Sequence, residues 1–346
     1  MHTLLKAVGL TAMLFATATP QDQKVFRSDT RLVEADVVVR DGKGPVEGLT
    51  VADFELFDNG KPQKIAAFSV IASRRSATKS SGLSASAPAV GLATPKTEMP
   101  VTATVLFINN LTIPFADQVQ SRQRMAEVMA ARSPREPIAI YSMNSDLQMR
   151  TDFTSDPVRI ANTLAAFGFE QPRPGGLIWI PPVYAALQEV ARRVSALPGR
   201  KNLIWIANFF PVCAPETICY PEMLRTINVL NAANMAVYPI SADGVAGPAL
   251  YSSQQSKAPP QSRNPSRGKS VFDGIFWAEK TGGDAAQNTD VGNAMQRALD
   301  DSQVTYSLGY YPESQDGSYH ELTVKVDRKG VDVRSRQGYL SPSPQP

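Results

Sequence analysis

Val183, Leu187, Val190, Val194 and Leu197 recur at steps of four, three, four and three, which lines one face of a helix with apolar side chains. Around that helix, apolar runs and amphipathic stretches alternate. Val101–Ile108 reads as a buried strand, Asp117–Arg132 as a helix and Pro137–Met143 as the next strand. Ser155-Asp156-Pro157 marks a helix start, with serine as the cap and proline in the first turn. Asn202–Ala207 is another buried strand, and Met223, Ile227 and Leu230 mark a helix leading into strand Met235–Ile240. A further helix ends at Thr281-Gly282-Gly283, where glycine suits the C-cap. Strands that are apolar throughout and separated by helices predict an α/β fold, a doubly wound and mostly parallel sheet.

Both flanks change period. Over residues 28–71, Leu32, Glu34, Asp36 and Val38 alternate with Val33, Ala35, Val37 and Val39, a period-two strand ending in Asp41-Gly42-Lys43-Gly44. Asp53–Phe57 and Pro62–Ser69 flank Asp58-Asn59-Gly60, a strong hairpin signal. These acidic turns lack regular Asp-x-Asp-x-Asp spacing, so plain turns are expected rather than calcium loops. Residues 72–100, rich in Ser, Ala, Thr and Pro, read as a flexible linker, and the α/β domain is expected over 101–302. Within it, 244–270 reads as a mobile insertion carrying Lys257, Arg263, Arg267 and Lys269, solvated by default and able to serve as an electrostatic docking loop. Residues 303–340 return to strands, Thr305–Pro312, Tyr319–Asp327 and Val331–Arg336, expected as antiparallel additions at the edge of the sheet.

Composition narrows the chemistry. The chain has 346 residues and a net charge of +3, with the basic residues spread along it rather than gathered on one face, which argues against nucleic-acid binding. Lys6, the apolar run Ala7–Ala16 and the small residues Ala16-Thr17-Ala18 have the layout of a secretory signal peptide over 1–18. No later segment has the length and hydropathy of a transmembrane span, so the mature chain is expected to be exported, to the periplasm or beyond. Cleavage would remove His2 and Lys6, lowering the net charge from +3 to +2 and leaving His320 as the single histidine. A His-rich metal site is then excluded, and a Ser-His-Asp triad could use only His320. No Gly-x-Ser-x-Gly elbow, phosphate-binding glycine loop or His-Glu-x-x-His motif occurs, and Gly42, Gly44 and Gly48 have no helix after them.

Several stretches, in order, carry a resemblance. They are Leu32–Val39 with Leu49–Glu55 and Asp58–Gln63, then Pro198–Trp205, Ala278–Gly283, and Tyr306–Pro312 with Arg336–Tyr339. Taken together, the chain resembles the von Willebrand factor A-related proteins abundant in Acidobacteria, over nearly all of its mature length. The resemblance implies a von Willebrand A-like, Rossmann-related sheet with an N-terminal β-rich segment and C-terminal β additions. What it implies about function is mostly binding, since many such domains hold protein ligands.

Domains of that family often hold a divalent cation through Asp-x-Ser-x-Ser after the first strand, a threonine on a later loop and an aspartate after the fourth strand. Here those places fall on Asn109-Asn110-Leu111-Thr112-Ile113, near Pro181, and near Ala207-Asn208. None is a carboxylate, and Asp117, in the following helix, is expected to point away. A hard cation needs oxygen ligands with at least one or two carboxylates to supply charge. No cofactor or metal is therefore expected, and the adhesion site reads as degenerate. The three loops instead carry Ile113-Pro114-Phe115, Ile178-Trp179-Ile180-Pro181-Pro182 and Phe209-Phe210-Pro211. Two readings stay open. With Asn109, Asn110, Thr112 and Asn208, the residues Phe115, Trp179, Pro181, Phe209 and Phe210 form a face for a protein or cell-envelope partner; or the apolar side chains pack on one another and close the vacant site.

Cys213 and Cys219, in an exported chain, are expected to form a disulfide that pins this loop, with two free thiols as the alternative. The resulting expectation is an exported, non-enzymatic binding protein. The competing classes are a cell-envelope hydrolase using a carboxylate pair and a structural envelope component. For the hydrolase, Asp146 and Asp152 would bracket a solvated loop at 144–152, while adjacent Asp300 and Asp301 read as surface charge at a helix end.

Overall fold

The computed structural model describes residues 32–72, 102–131, 137–166, 180–242, 266–285, 290–314 and 316–343. The expected signal peptide, nearly all of the linker and most of the 244–270 insertion lie outside the described residues. The N-terminal segment forms β1 (Val33–Asp41), β2 (Gly44–Pro45), β3 (Phe54–Asp58), β4 (Lys61–Gln63) and β5 (Ala67–Ala72). The middle of the chain alternates: β6 (Ala103–Asn109), α1 (Phe115–Ala131), β7 (Ile138–Met143), β8 (Leu147–Thr154), α2 (Pro157–Ala166), α3 (Ile180–Val194), β9 (Lys201–Ala207), α4 (Tyr220–Ala232), β10 (Met235–Ser241), α5 (Ser266–Thr281) and α6 (Val291–Asp301). The C-terminal segment forms β11 (Val304–Tyr310), β12 (Tyr319–Val326), β13 (Asp332–Arg334) and β14 (Gly338–Leu340).

The central sheet has the order β10-β9-β6-β7-β8, parallel throughout except for the antiparallel edge strand β8. Its apolar strands are buried on both faces because successive residues serve different cores. Val105, Phe107, Leu203 and Trp205 pack with α3, α4 and Trp277 of α5, whereas Leu106, Ile108, Ile204 and Ile206 pack with α1, α2 and α6. The segment Asn144–Asp152, expected as a solvated loop, is mostly β8. Its polar, exposed character is that of an edge strand, with Thr151 buried and Met149 exposed. Helix α5 begins at Ser266, inside the segment expected to be a mobile insertion.

The C-terminal strands do not extend the central sheet. β11 lies between β1 and β5, both antiparallel to it, and β12 lies between β3 and β14. The first and last segments of the chain thus build two small sheets jointly, around Val37, Phe54, Tyr306 and Leu308 in one cluster and Leu56, Tyr310, Leu322 and Tyr339 in another. Residues from Leu32 onward form a single compact unit.

Asp301 corrects a second expectation. It is 1% exposed rather than a surface charge, and its carboxylate bridges Arg40 of β1 and Arg334 of β13, the latter at 2.8 Å. A buried carboxylate persists where guanidinium groups replace its hydration, and here the pairing ties the end of α6 to the β layers. At the end of α5, Gly282 takes φ +79°, and a Cβ on Gly283 would lie 1.8 Å from the Val237 carbonyl oxygen. Both positions of the Thr281-Gly282-Gly283 cap therefore require glycine. Among the described residues, no helix is long and apolar enough to cross a membrane.

Candidate functional site

From β6 the chain moves outward through β7 to β8, then returns to β9 on the other side of β6. The β6/β9 boundary is thus the switch point of the sheet, and the crevice beyond the carboxyl ends of these strands is where open α/β sheets place ligands. Asn109 ends β6 and Ala207 ends β9.

Polar side chains knit the two strand ends together. Thr112 Oγ1 donates to the Asn109 carbonyl at 3.3 Å and accepts from the Asn208 backbone N–H at 3.3 Å. Asn110 Nδ2 donates to Asn144 Oδ1 at 2.8 Å, and the Asn110 backbone N–H donates to the Met143 carbonyl at 2.9 Å, which joins the β6 and β7 ends. Gln118 Nε2 reaches back from the first turns of α1 to the Ile113 carbonyl at 2.8 Å. Asn109 is 0% exposed, and neither polar atom of its side chain has a hydrogen-bond partner among the described residues.

Asp117 does not point away. Asn208 Nδ2 donates to its Oδ2 at 3.4 Å, because α1 begins at Phe115 and so holds Asp117 in the first turn beside the crevice. Even so, the donor set does not fit a resident divalent cation. It comprises amides and a hydroxyl with a single carboxylate, and Asn110, Asn208 and Gln118 all turn N–H groups toward oxygen acceptors that a cation would need.

The apolar residues of the three loops separate. Phe210, a candidate for either an exposed face or inward packing, is 2% exposed and stands edge-on to Trp205 with ring centroids 4.9 Å apart. Ile113 is buried too, and Asn109 and Asn110 are covered, so these side chains offer no surface to a partner. Phe209 is 37% exposed and Pro181 is exposed at the start of α3. Trp179 and the Phe115 side chain lie outside the described residues.

Cys213 and Cys219 form a disulfide with Cα atoms 5.8 Å apart. The loop before it is held from beneath. The Pro211 carbonyl accepts from Trp277 Nε1 at 2.9 Å and from the Tyr184 hydroxyl at 3.2 Å, and burial pushes the Tyr184 pKa up. Ile218, inside the disulfide loop, is 100% exposed, and Leu224 is exposed on the first turns of α4. Sequence reasoning turned Asp117 the wrong way and missed Gln118 and Ile218. The signal for the last was present, an isoleucine between two cysteines in a segment with no strand or helix period.

The other sequence candidates lie elsewhere. Asp146 and Asp152 are both exposed, the first just before β8 and the second within it. His320 is buried with Nδ1 2.8 Å from Asp58 Oδ1, while the Tyr310 hydroxyl donates to Asp58 Oδ2 at 2.7 Å and the Tyr339 ring lies tilted against the imidazole, centroids 5.1 Å apart. This cluster joins β3, β11, β12 and β14. Its bonds to Asp58 and Tyr339 tie the histidine into the seam between these β segments.

No protein-family model matches the chain, and comparison with curated proteins finds no match. Solved structures offer similarity at low identity. The chain is similar to a von Willebrand factor type A protein from Catenulispora acidiphila, at 7% identity and TM-score 0.37, covering 70% of this chain and 67% of that one. It is also similar to BatB from Bacteroides thetaiotaomicron, at 10% identity and TM-score 0.31, over 41% of this chain and 66% of that one. The vWF domain of the type V pili tip protein Mfa5 from Porphyromonas gingivalis matches 32% of this chain and 38% of its own, at 16% identity and TM-score 0.25.

Proposed function

We propose that this chain is an exported, non-enzymatic, von Willebrand A-like binding protein whose adhesion site has lost its metal and closed. In this reading it engages a protein or cell-envelope partner through the apolar residues left exposed around the closed crevice. The carrying observation is the division of side chains at the carboxyl end of the sheet. Asn109, Asn110, Ile113 and Phe210 are withdrawn, whereas Phe209 and Ile218 project from a loop fixed by a disulfide and by two hydrogen bonds to Pro211. A rigid apolar projection suits protein recognition because little conformational freedom is lost when it binds. The doubly wound architecture and the Acidobacterial-type resemblance agree with the same reading, as does a chain expected to carry a signal peptide.

Affinity purification from the envelope fraction tests it, using the wild type, the double variant Phe209→Ser/Ile218→Ser and the single variant Phe210→Ser, with and without chelator. The expected result is a chelator-insensitive complex that the double variant loses while keeping its melting temperature. Phe210→Ser should instead lower stability by about 3–5 kcal/mol, as for loss of a buried aromatic ring. A complex that needs a divalent cation would sink the reading.

A further inference from the structure

Apart from His2 in the expected signal peptide, His320 is the chain's single histidine, and it is 3% exposed. Both of its ring nitrogens face carboxylate oxygens. Nδ1 lies 2.8 Å from Asp58 Oδ1, and Nε2 lies 3.3 Å from Asp316 Oδ1. Asp58 Oδ2 accepts from the Tyr310 hydroxyl at 2.7 Å and from the Tyr339 hydroxyl at 3.3 Å. Both Asp58 oxygens therefore act as acceptors, which makes the acid a carboxylate. Asp316 is half-exposed in the turn before β12. It accepts from the Ser318 hydroxyl at 2.6 Å and from the Ser318 backbone N–H at 2.8 Å. These two bonds, helped by His320, push its pKa down to about 2, so it too is a carboxylate.

A neutral imidazole has one N–H and one lone pair, whereas the imidazolium has two N–H groups. With Nδ1–H committed to the buried Asp58, only the imidazolium can also donate from Nε2 to Asp316. In the neutral ring the Nε2 lone pair would face a carboxylate and repel it, and Asp316, on an exposed turn, is the partner that can move. The other charged groups of the seam are outside this pairing. Arg336 stands over the Tyr339 ring, 5.8 Å from its centroid, and Lys61, opposite Asp58 in β4, is exposed and pairs with Glu313. The turn that Asp316 opens also seats the C-terminal residues. The Gly317 N–H donates to the Pro342 carbonyl at 3.2 Å, and the Ser341 N–H donates to the Ser318 carbonyl at 2.9 Å. Gly317 takes φ +75°, and a Cβ there would lie 2.7 Å from Ser343 Oγ, so the fit is close.

We propose that His320 is a proton-operated latch on the C-terminal residues. The imidazolium bridges Asp58 and Asp316 and so holds the 316–318 turn with 341–343 docked on it; loss of the Nε2 proton releases both. The latch is closed on the acid side of the histidine titration and opens as pH rises through it. Asp58 keeps its bond from Nδ1–H in either state, so the β seam stays joined while the turn and the C-terminal residues respond.

The test uses the full chain with isotope-labelled histidine, read by NMR and by hydrogen exchange from about pH 5 to about 8. Both His320 ring nitrogens should carry protons at the acid end, and Nε2 should lose its proton as pH rises while Nδ1 keeps its own. Over the same titration, protection of the Gly317 and Ser341 amides, corrected for the pH dependence of exchange in an unstructured peptide, should fall about fivefold, the scale of one partly exposed ion pair. Asp316→Ala should show the low protection at every pH. Asp316→Asn should keep the C-terminal residues docked throughout, because a side-chain amide can accept from the imidazolium or donate to the neutral ring. The proposal is overturned if protection at Gly317 and Ser341 ignores the titration, if the same fall persists in Asp316→Asn, or if Nδ1 rather than Nε2 loses the proton.

Discussion

The indole Nε1–H of Trp277 donates to the Pro211 carbonyl oxygen at 2.9 Å, linking the middle of α5 to the loop that follows β9. Trp277 is buried against Trp205, with ring centroids 5.7 Å apart, so the hydrogen bond sits inside the aromatic core beneath the candidate site. Trp277→Phe keeps most of the ring packing and removes the donor, leaving Tyr184 as the carbonyl's partner. The expected loss is about 1–2 kcal/mol in urea unfolding. The slope against denaturant should stay unchanged, because the surface exposed on unfolding is nearly the same.

The disulfide acts on the same loop from its other end. Closing so short a loop restricts the unfolded chain modestly, and removing the bond in Cys213→Ser/Cys219→Ser is expected to cost about 2 kcal/mol. Urea midpoints with and without reductant should differ by the same amount in the wild type and not at all in the variant. Native protein should show no alkylatable thiol, whereas two labelled cysteines would mean that the loop is pinned by Tyr184 and Trp277 alone.

The central sheet was legible because its strands are apolar throughout and its helices carry a 3.6-residue period; the face through Val183, Leu187, Val190 and Val194 is buried as that period requires. The pairing of β1 with β11 was not legible. Val37 and Tyr306 are partners across most of the chain, and alternation within either strand says that a partner exists without saying which. Asp301 misled for a related reason, since its two arginine partners, Arg40 and Arg334, come from segments far away in sequence. At the candidate site, the hydrophobic pattern placed the ends of β6 and β9 along the chain. It could not tell Phe209 from Phe210, because adjacent residues of one type differ only in which way the backbone turns them.

Alkaline pH should unfold the protein through its tyrosines. Burial raises the pKa values of Tyr184, Tyr238, Tyr306, Tyr310 and Tyr339. The unfolded chain releases these protons near the ordinary tyrosine value of about 10. Above that pH the folded state holds more protons than the unfolded state, so stability falls as pH rises and is fully retained below it. Urea midpoints should therefore be level from neutral pH to about 9 and drop steeply beyond about 10. Phenolate absorbance from these residues should appear together with unfolding, and tyrosines that titrate near 10 in the folded chain would contradict their burial.

Asn109 gives the sharpest test of what the crevice has become. Its side-chain amide is buried with both polar atoms unpartnered among the described residues, a state that costs about 1–3 kcal/mol for each unmade hydrogen bond. Asn109→Leu is close in volume and removes both polar atoms, so stability should stay level or rise by about 1 kcal/mol. Asn109→Asp places a carboxylate in the same enclosed position and should cost about 3–5 kcal/mol near neutral pH. The introduced acid would have a raised folded-state pKa, so its penalty should shrink as pH falls toward the ordinary carboxylate value and grow as pH rises above it. Urea midpoints for the three proteins, at a mildly acidic and a neutral pH, distinguish the cases. A loss above about 2 kcal/mol in Asn109→Leu would show that the amide is satisfied by internal water, and that the crevice is a wet polar pocket rather than a closed one.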